Sequence, residues 1–277
     1  MPSDPTERLR RARGFVFDMD GTLVLGDKGH HGYHPLPGAL DCLNRLNDAG
    51  LPFVVVTSGS AQTPADYAAA LCRLGFPVAD RMMQTPASVA ADYFTRHKIH
   101  RVMVLGSEGA SRPLAEAGLE VVPPEGKAQA EAVFIGFYRD FTFAQIEAAC
   151  HAVWQGAGLY TSAYARFFAA AGGRAIGVPR AICTMIRGIT GCPVTILGKP
   201  SIEALRSAAR AMGIKPSALA VVGDDPSLEI AMALRGGALA VGVTTGLATK
   251  ADFAALPAGR QPHLVVEALG ELTARLS

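Results

Sequence analysis

Apolar runs of strand length recur along this chain, and each is followed by a loop and an Ala-rich amphipathic segment. This alternation is typical of an α/β protein, in which helices cover a parallel sheet. Such strands are buried on both faces and are therefore apolar along their whole length. The clearest predicted strands span residues 14–18, 52–57, 101–106, 132–137, 194–198 and 219–224.

Several short signals predict where helices begin and end. Thr63-Pro64 and Thr85-Pro86 each place a capping residue before a proline at the first helical position. Gly75 and Gly213 are typical of residues that end a helix.

The size and charge of the chain limit what it can be. At 277 residues it is long enough for two domains or one large one, and its net charge of +2 argues against a nucleic-acid or membrane surface. Five scattered cysteines without a CxxC pair suggest neither a disulfide framework nor a zinc site. The N-terminus has no apolar signal region and no later stretch has the length of a membrane span, so we expect a cytoplasmic protein.

Four predicted strands end in small or polar residues. Three of them end at Asp18, Thr57 and Asp224, and a fourth is followed by Gly198-Lys199-Pro200. In open α/β sheets, ligands bind outside the carboxyl ends of the strands. The sequence therefore predicts that these four ends form one crevice.

The residue types at these ends indicate phosphoryl chemistry with a metal. Aspartates gathered in one crevice repel one another. A hard cation with oxygen ligands, for which we predict Mg²⁺, would offset that repulsion together with Lys199. Asp18 can then act as a carboxylate nucleophile, and Asp20 can protonate the leaving oxygen. Thr57 and the loop that begins Ser58-Gly59 offer a hydroxyl and backbone N–H groups to phosphoryl oxygens.

Four motifs in this chain resemble those of the haloacid dehalogenase (HAD) phosphatase superfamily, in the superfamily's order: DMDGTL, VVVT, LGKPS and VVGDD. The long insertion between the second and third motifs resembles that of members with a large C2 cap. The stretches LGSEGASRPLAEAGLEVV, IGFYRDFTF and LGKPS are similar to subgroup IIA, which includes NagD-like and p-nitrophenyl phosphatase-like enzymes.

The resemblance implies a role for each motif residue. It implies that Asp18 is the nucleophile and that Asp20 is the acid and base, whose backbone carbonyl also binds Mg²⁺. It further implies that Thr57 and Lys199 bind phosphate and that Asp224 is a metal ligand. An aspartate two residues after the nucleophile argues for phosphatase or mutase chemistry over dehalogenation.

The chain departs from the family pattern at two places. Ser58-Gly59 follows the second-motif threonine where related sequences commonly have asparagine, and Glu229 stands where an aspartate usually follows the fourth motif. We expect Glu229 to support the metal through a bound water, since Mg²⁺ gives up its waters reluctantly. Asp225 precedes Pro226 and is better explained as a turn or helix-capping residue than as a metal ligand.

Residues 159–173 of the insertion match the place where caps of subgroup IIA carry a substrate-facing loop, so the resemblance implies a substrate contact there. Arg166 is the predicted substrate contact, together with the aromatic residues Tyr164, Phe167 and Phe168, although aromatic residues at this spacing also suit a core. Elsewhere, His30, His31 and His34 lie among glycines and a proline, which favours an exposed loop over a metal site.

These observations predict a Rossmann-like three-layer core from residues 1–80 and 196–277, with an inserted α/β cap of the C2 (IIA) type from 81–195 that closes over the site. The expected activity is Mg²⁺-dependent hydrolysis of a small phosphate monoester. A phosphomutase and a catalytically weak binding protein remain alternatives. The expected partner is a phosphorylated small molecule, not nucleic acid or a membrane, and self-association through the cap stays open.

Overall fold

The structure is a computed structural model that describes residues 4–26, 32–170 and 173–276, without the side chains of residues 167–170 and 173–174. His30 and His31 lie outside the described residues, as do the side chains of Phe167 and Phe168.

The described residues form two compact units. The first contains residues 1–57, 65–84 and 200–277, and the second contains residues 58–64 and 85–199. In sequence, the main part of the second unit is thus an insertion in the first. The assignment of these units as core and cap, with boundaries near residues 80 and 195, stays a prediction.

The strands in chain order are β1 (Gly14–Asp18), β2 (Val24–Gly26), β3 (Tyr33–Pro35), β4 (Phe53–Val56), β5 (Met83–Gln84), β6 (Arg101–Leu105), β7 (Glu120–Val122), β8 (Ala132–Ile135), β9 (Gly158–Thr161), β10 (Phe167–Ala170), β11 (Gly173–Ile176), β12 (Val194–Ile196), β13 (Leu219–Gly223), β14 (Leu239–Val243) and β15 (Leu264–Val266). The helices are α1 (Pro5–Arg10), α2 (Ala39–Asp48), α3 (Pro64–Arg73), α4 (Pro86–Arg96), α5 (Glu108–Glu116), α6 (Phe143–Trp154), α7 (Val178–Thr190), α8 (Ile202–Met212), α9 (Ala231–Gly236), α10 (Lys250–Ala254) and α11 (Leu269–Leu276).

The first unit contains a six-stranded parallel sheet in the order β15-β14-β13-β1-β4-β5. This is the doubly wound order 3-2-1-4-5-6, in which the direction of winding reverses between the first and fourth strands. Those two strands are β1 and β13, and all five residues of each are buried. The sheet thus places its switch point between two fully buried strands.

Aromatic rings pack on the central strands of the first unit. The ring centroids of Phe15 and Phe17 lie 6.0 Å apart in a stacked arrangement, and Phe53 meets the edge of Phe17 at 6.3 Å. All three side chains are at most 2% exposed. Burying rings of this size accounts for much of the energy that holds β1 against β4.

The second unit contains a five-stranded parallel sheet in the order β12-β9-β8-β6-β7. Renumbered by their order in the chain, these strands follow the doubly wound order 2-1-3-4-5, with the switch point between β6 and β8. Phe94 of α4 contacts Phe134 and Tyr160 edge to face on this sheet. Strands β10 and β11 form a separate antiparallel pair.

The predicted fold class is confirmed, and all six predicted strands are present. The strand predicted at residues 14–18 has those bounds, and the other five end one or two residues earlier than predicted. Helix α3 begins at Pro64, and Thr85 caps α4 in a reciprocal pair of hydrogen bonds with Ser88. Gly213 ends α8 with φ of +66°, a backbone conformation that favours glycine.

No helix in the described part of the chain is both long and apolar enough to cross a bilayer. Of the cysteines, Cys42, Cys150 and Cys183 are buried and Cys72 is exposed. Burial raises the pKa of the Cys183 thiol to about 12, which makes it unreactive.

Candidate active site

The candidate active site lies at the switch point of the first unit's sheet. Asp18 is the last residue of β1, and Asp224 directly follows β13, the strand paired with β1. Thr57 directly follows β4, which pairs with β1 on its other side. Because these three strands are parallel, the residues at their carboxyl ends lie at the same edge of the sheet.

Three buried carboxylates come together at this edge. Asp18, Asp224 and Glu229 each offer an oxygen within 4.8 Å of the others, and the three residues are 5%, 6% and 1% exposed. Two like charges about 4 Å apart repel by roughly 4 kcal/mol at an effective dielectric constant of about 20. Burial of the whole group therefore favours a nearby positive charge. A set made only of carboxylate oxygens suits a hard cation such as Mg²⁺.

Two glycines leave room for the Asp224 carboxylate. A Cβ atom added to Gly21 would lie 2.3 Å from Asp224 Oδ2, and one added to Gly246 would lie 2.0 Å from the same oxygen. Gly21 also has φ of +85°, so its backbone favours glycine for a second reason. The backbone N–H of Leu247 donates to Asp224 Oδ2 at 2.6 Å. Backbone groups from both sides therefore set the position of this carboxylate.

The segment after β14, residues 244–248, also holds the turn that follows Asp20. The Thr245 hydroxyl donates to the Gly21 carbonyl at 2.7 Å, across 224 positions of sequence. Nearer the strand, the Thr22 hydroxyl lies 3.4 Å from Asp18 Oδ2, to which it donates. We name residues 244–248 the β14 loop. The β14 loop therefore contacts both the turn that follows Asp20 and the carboxylate of Asp224.

Glu229 and Asp225 lie four residues apart, and their side chains make different contacts. Glu229 belongs to a π-helical turn, Pro226–Ile230, and its side chain packs on Gly223, where an added Cβ would meet Glu229 Cγ at 2.4 Å. Its Oε2 accepts from the Asp225 N–H at 3.3 Å. The Asp225 carboxylate instead accepts from the N–H and hydroxyl of Ser227, at 2.7 and 2.6 Å. The prediction that Asp225 caps a helix is confirmed.

Asp20 lies on the turn between β1 and β2 and is exposed. It does not belong to the cluster of Asp18, Asp224 and Glu229. Its backbone forms an isolated bridge with Val24, and Gly21 N–H donates to the Val24 carbonyl at 2.8 Å. Burial raises the pKa of the Tyr33 phenol, and the negative charge of Asp20 raises it further. The negative charge of the exposed Asp20 carboxylate therefore affects Tyr33 of the β2–β3 hairpin.

The predicted phosphate-binding residues occupy the places where the chain passes from one unit to the other. Thr57, 1% exposed, ends the first segment of the first unit, and its N–H donates to the Gln84 carbonyl at 3.0 Å. Ser58 is exposed and Gly59 half-buried at the start of a second-unit segment. Lys199, 4% exposed, is the last residue of the second unit.

The predicted substrate contacts of the insertion differ in exposure. Arg166 is exposed, whereas Tyr164 packs against the second unit's core and under the guanidinium of Arg180, 4.4 Å from its ring centroid. Arg180 also donates to the Tyr164 carbonyl at 3.0 Å. Tyr164 therefore has a packing role in this unit. His34 is exposed, as the sequence predicts, but it lies on the short strand β3 and not in a loop.

The β14 loop is a part of the site that was not predicted from the sequence. The signal was present, because the apolar run LAVGV at residues 239–243 ends in Thr-Thr-Gly, the same change from apolar to small and polar residues that marks the other strand ends. A cavity of about 320 Å³ in the second unit, lined by Gly106, Ser107, Tyr138 and Phe141 among others, contains none of the predicted site residues.

Comparison with known proteins identifies relatives for nearly the whole chain. A family model described as haloacid dehalogenase-like hydrolase matches residues 15–120, and one described as HAD-hydrolase-like matches residues 196–272. The chain is 26% identical over 248 residues to the ribonucleotide monophosphatase NagD of Escherichia coli, covering 88% of this chain and 92% of that protein.

Two solved structures have the same fold. A 4-nitrophenylphosphatase from Thermotoga maritima matches with a TM-score of 0.85 and 24% identity, covering 98% of this chain and 99% of that one. A glycerol phosphate phosphatase from Mycobacterium tuberculosis, solved in complex with magnesium, matches with a TM-score of 0.82 and 23% identity, covering 96% of this chain and 77% of that one.

Proposed function

Because this chain belongs to subfamily IIA of the haloacid dehalogenase superfamily, we propose that it is a Mg²⁺-dependent phosphatase that hydrolyses a small organic phosphate monoester through an aspartyl-phosphate. The chain is an enzyme of the HAD phosphatase type, a hydrolase. The Mg²⁺ dependence, the covalent intermediate and the individual residue roles are the parts we propose.

One observation carries the proposal: a buried trio of carboxylates that includes Asp18, at the switch point of a parallel sheet. The donor set fits Mg²⁺, with Asp18, Asp224 and the Asp20 carbonyl as ligands and Glu229 in support. When bound there, Mg²⁺ would offset the negative charge of the carboxylates and of the phosphoryl oxygens.

The proposed reaction has two steps. In the first, an oxygen of Asp18 attacks phosphorus, the bond from phosphorus to the leaving oxygen breaks, and Asp20 gives its proton to that oxygen. In the second, Asp20 takes a proton from water, the water oxygen attacks phosphorus, and the bond to Asp18 breaks. Inorganic phosphate leaves and Asp18 returns to its starting state. The exposure of Asp20 supports this role, because its carboxylate is open to a leaving group.

Phosphate binding is proposed for Thr57, Ser58, Gly59 and Lys199 from their motif positions. Arg166 is proposed to contact the organic part of the substrate, since it is exposed in the insertion. The relatives and neighbours act on a ribonucleotide, on 4-nitrophenyl phosphate or on glycerol phosphate, according to their names. We therefore propose the class of small phosphate monoesters, without nucleic acid or membrane as partner.

Hydrolysis of 4-nitrophenyl phosphate and of a set of phosphorylated metabolites, with and without Mg²⁺, tests the proposal. Asp18→Asn keeps the shape of the side chain and removes the attacking charge, so turnover should fall to background. Asp225→Asn is the matched control, because asparagine caps a helix as well as aspartate does and this carboxylate is outside the cluster.

Each other outcome has a defined meaning. Residual activity of Asp18→Asn above a few per cent would reject the covalent role of Asp18. An isomerised phosphate ester among the products, instead of free phosphate, would identify a mutase. A parent protein without activity on any ester would favour a binding role and overturn the proposal.

A further inference from the structure

The switch point of the second unit's sheet lies between β6 and β8, the position where doubly wound sheets bind their ligands. In this unit the position is taken by the chain itself. Residues 58–64 belong to the second unit although 20 residues separate them from its main part, which begins at Thr85. We name residues 58–64 the crossing segment.

Three strand ends of the second unit bind Ser60 of the crossing segment. Beyond β6, the Ser107 hydroxyl donates to the carbonyls of Ser60 and Ala61, at 3.2 and 3.1 Å. Beyond β8, the Phe137 N–H donates to the Ser60 hydroxyl at 3.0 Å. Beyond β9, the Ser162 hydroxyl accepts from the Ser60 hydroxyl at 3.4 Å. Ser60 is therefore held through both its backbone and its side chain.

The fit around the crossing segment is close. Ser60 is 3% exposed and Ser162 is 1% exposed, so their mutual hydrogen bond is shielded from water. Gly109 in the first turn of α5 lets the segment approach, because an added Cβ would lie 2.5 Å from the backbone of Ala61 and Gln62. The amino end of α5 is thus covered by peptide groups of the same chain.

From these contacts, and resting on the proposed function, we propose that Ser60 and Ser107 are positioning residues for phosphate binding. They act through Ser58 and Gly59, the two residues that separate Ser60 from Thr57. Ser58 is exposed, and glycine adds backbone freedom at the next position. The anchor at Ser60 restricts this freedom, so the N–H groups of Ser58 and Gly59 keep one orientation toward a phosphate. Contacts between Ser60 and the rest of the second unit thereby influence phosphate affinity, without any contact with the organic part of the substrate.

The test compares Ser107→Ala with Ser111→Ala in the full-length protein. Ser111 lies in helix α5, which Ser107 precedes, and its hydroxyl contacts the carbonyls of Ser107 and Glu108 at 3.4 and 3.5 Å. The probe is inorganic phosphate in the presence of Mg²⁺, measured as the inhibition constant Ki against 4-nitrophenyl phosphate. Ser107→Ala removes the one hydroxyl proton that is shared between the Ser60 and Ala61 carbonyls, which should raise Ki about three- to tenfold, and Ser111→Ala should match the parent.

Two further measurements separate positioning from general stability. Amide hydrogen exchange of residues 58–64 should be faster in Ser107→Ala, with the thermal unfolding temperature within about 2 °C of the parent. Ser107→Thr keeps a hydroxyl at a helix-capping position and should restore both Ki and slow exchange. Ser60→Ala removes the contacts with Phe137 and Ser162 and should raise Ki by about tenfold or more.

A Ki and an exchange rate in Ser107→Ala equal to those of the parent would overturn the inference while the proposed function stands. So would an increase in Ki that Ser107→Thr fails to reverse. A parent that hydrolyses no phosphate ester and binds no phosphate would overturn the proposed function, and the inference with it.

Discussion

At the scale of single residues, glycines determine where the carboxylates of the candidate site can lie. Gly21 and Gly246 lie on either side of Asp224, and Gly223 leaves room for the Glu229 side chain. Any larger residue at these positions would occupy space that an oxygen or methylene group now fills. The site therefore depends on residues that carry no chemistry of their own.

Gly246→Ala tests this dependence. The new Cβ would lie 2.0 Å from Asp224 Oδ2, so the carboxylate must move. We expect the Mg²⁺ concentration for half-maximal activity to rise at least about tenfold, and the free energy of unfolding to fall by about 1–3 kcal/mol. Mg²⁺ titration of activity, with urea unfolding, measures both quantities.

Gly188→Ala is the control, because an added Cβ there meets no atom within 4 Å. It lies inside α7, where alanine should stabilise by up to about 1 kcal/mol. If Gly246→Ala needed no more Mg²⁺ than the parent, the position of the Asp224 carboxylate would not determine metal affinity.

Glu229→Gln tests whether Glu229 of the carboxylate cluster supports metal binding. Glutamine has nearly the same shape and fills the same space beside Gly223, but it removes one charge from the trio. If Glu229 supports the metal, the Mg²⁺ requirement should rise about ten- to a hundredfold, with turnover at saturating Mg²⁺ partly kept. The increase in unfolding temperature produced by Mg²⁺ should shrink in parallel. An unchanged Mg²⁺ titration would assign the supporting role to another carboxylate.

At the scale of elements, the β14 loop connects two parts of the site that are far apart in sequence. Its Leu247 N–H holds Asp224, and its Thr245 hydroxyl holds the Gly21 carbonyl. Thr244, the preceding residue, points to a different partner, the Glu267 carbonyl at 3.3 Å. The hydroxyls of these two adjacent threonines thus donate to different carbonyls, and that of Thr245 reaches the turn after Asp20.

This arrangement gives a matched pair of variants. Thr245→Val removes the hydroxyl at nearly constant volume and leaves the Gly21 carbonyl without it, which should lower kcat/KM about three- to tenfold. Thr244→Val should change kcat/KM by less than about twofold, since its hydrogen bond is exposed. Thr245→Ser should recover most of the activity. Equal losses in both valine variants would indicate a general effect on the loop.

At the scale of the whole molecule, the first unit is assembled from distant parts of the chain. Gly14 of β1 pairs with Leu219 of β13, and the Arg10 side chain donates to the Arg275 carbonyl at 3.0 Å. Pairings over such separations require the closure of long loops before they stabilise the sheet. The edge of this sheet is held by a pair of hydrogen bonds between Ala240 and His263, both 2.9 Å long.

The His263 pair makes stability depend on pH. Burial lowers the pKa of His263, the charge of Arg8 lowers it further, and Nδ1 accepts from the Ala240 N–H, which requires that Nδ1 carry no proton. As pH falls through the unfolded pKa, about 6.5, the unfolded chain binds a proton that the folded chain does not. The free energy of unfolding should therefore decrease from that pH downward until the folded group also titrates.

Urea unfolding at pH 7.5, 6.0 and 5.0 measures this slope. His263→Gln should reduce the loss of stability between pH 7.5 and pH 5.0 relative to the parent. The value at pH 7.5 is the baseline, because His263 is neutral there in both the folded and the unfolded protein. A variant with the same slope as the parent would assign the pH dependence to other groups.

The sequence by itself determined those features that depend on neighbouring residues. Apolar runs that end in Asp18 and Asp224 predicted parallel strands with carboxylates at one edge, and Asp225 before Pro226 predicted a helix cap. Local backbone preference and local hydrogen bonding decide such features, so a short window of sequence contains the needed information.

Only the tertiary structure decided how the candidate site is supported. It joined Thr245 to Gly21 and attached Ser60 to three strand ends of the second unit. These contacts join residues about 50 to more than 200 positions apart, and single threonines, serines and glycines carry little signal of a distant partner. Which of them meet depends on the order of strands in the sheets, because that order determines which loops share an edge.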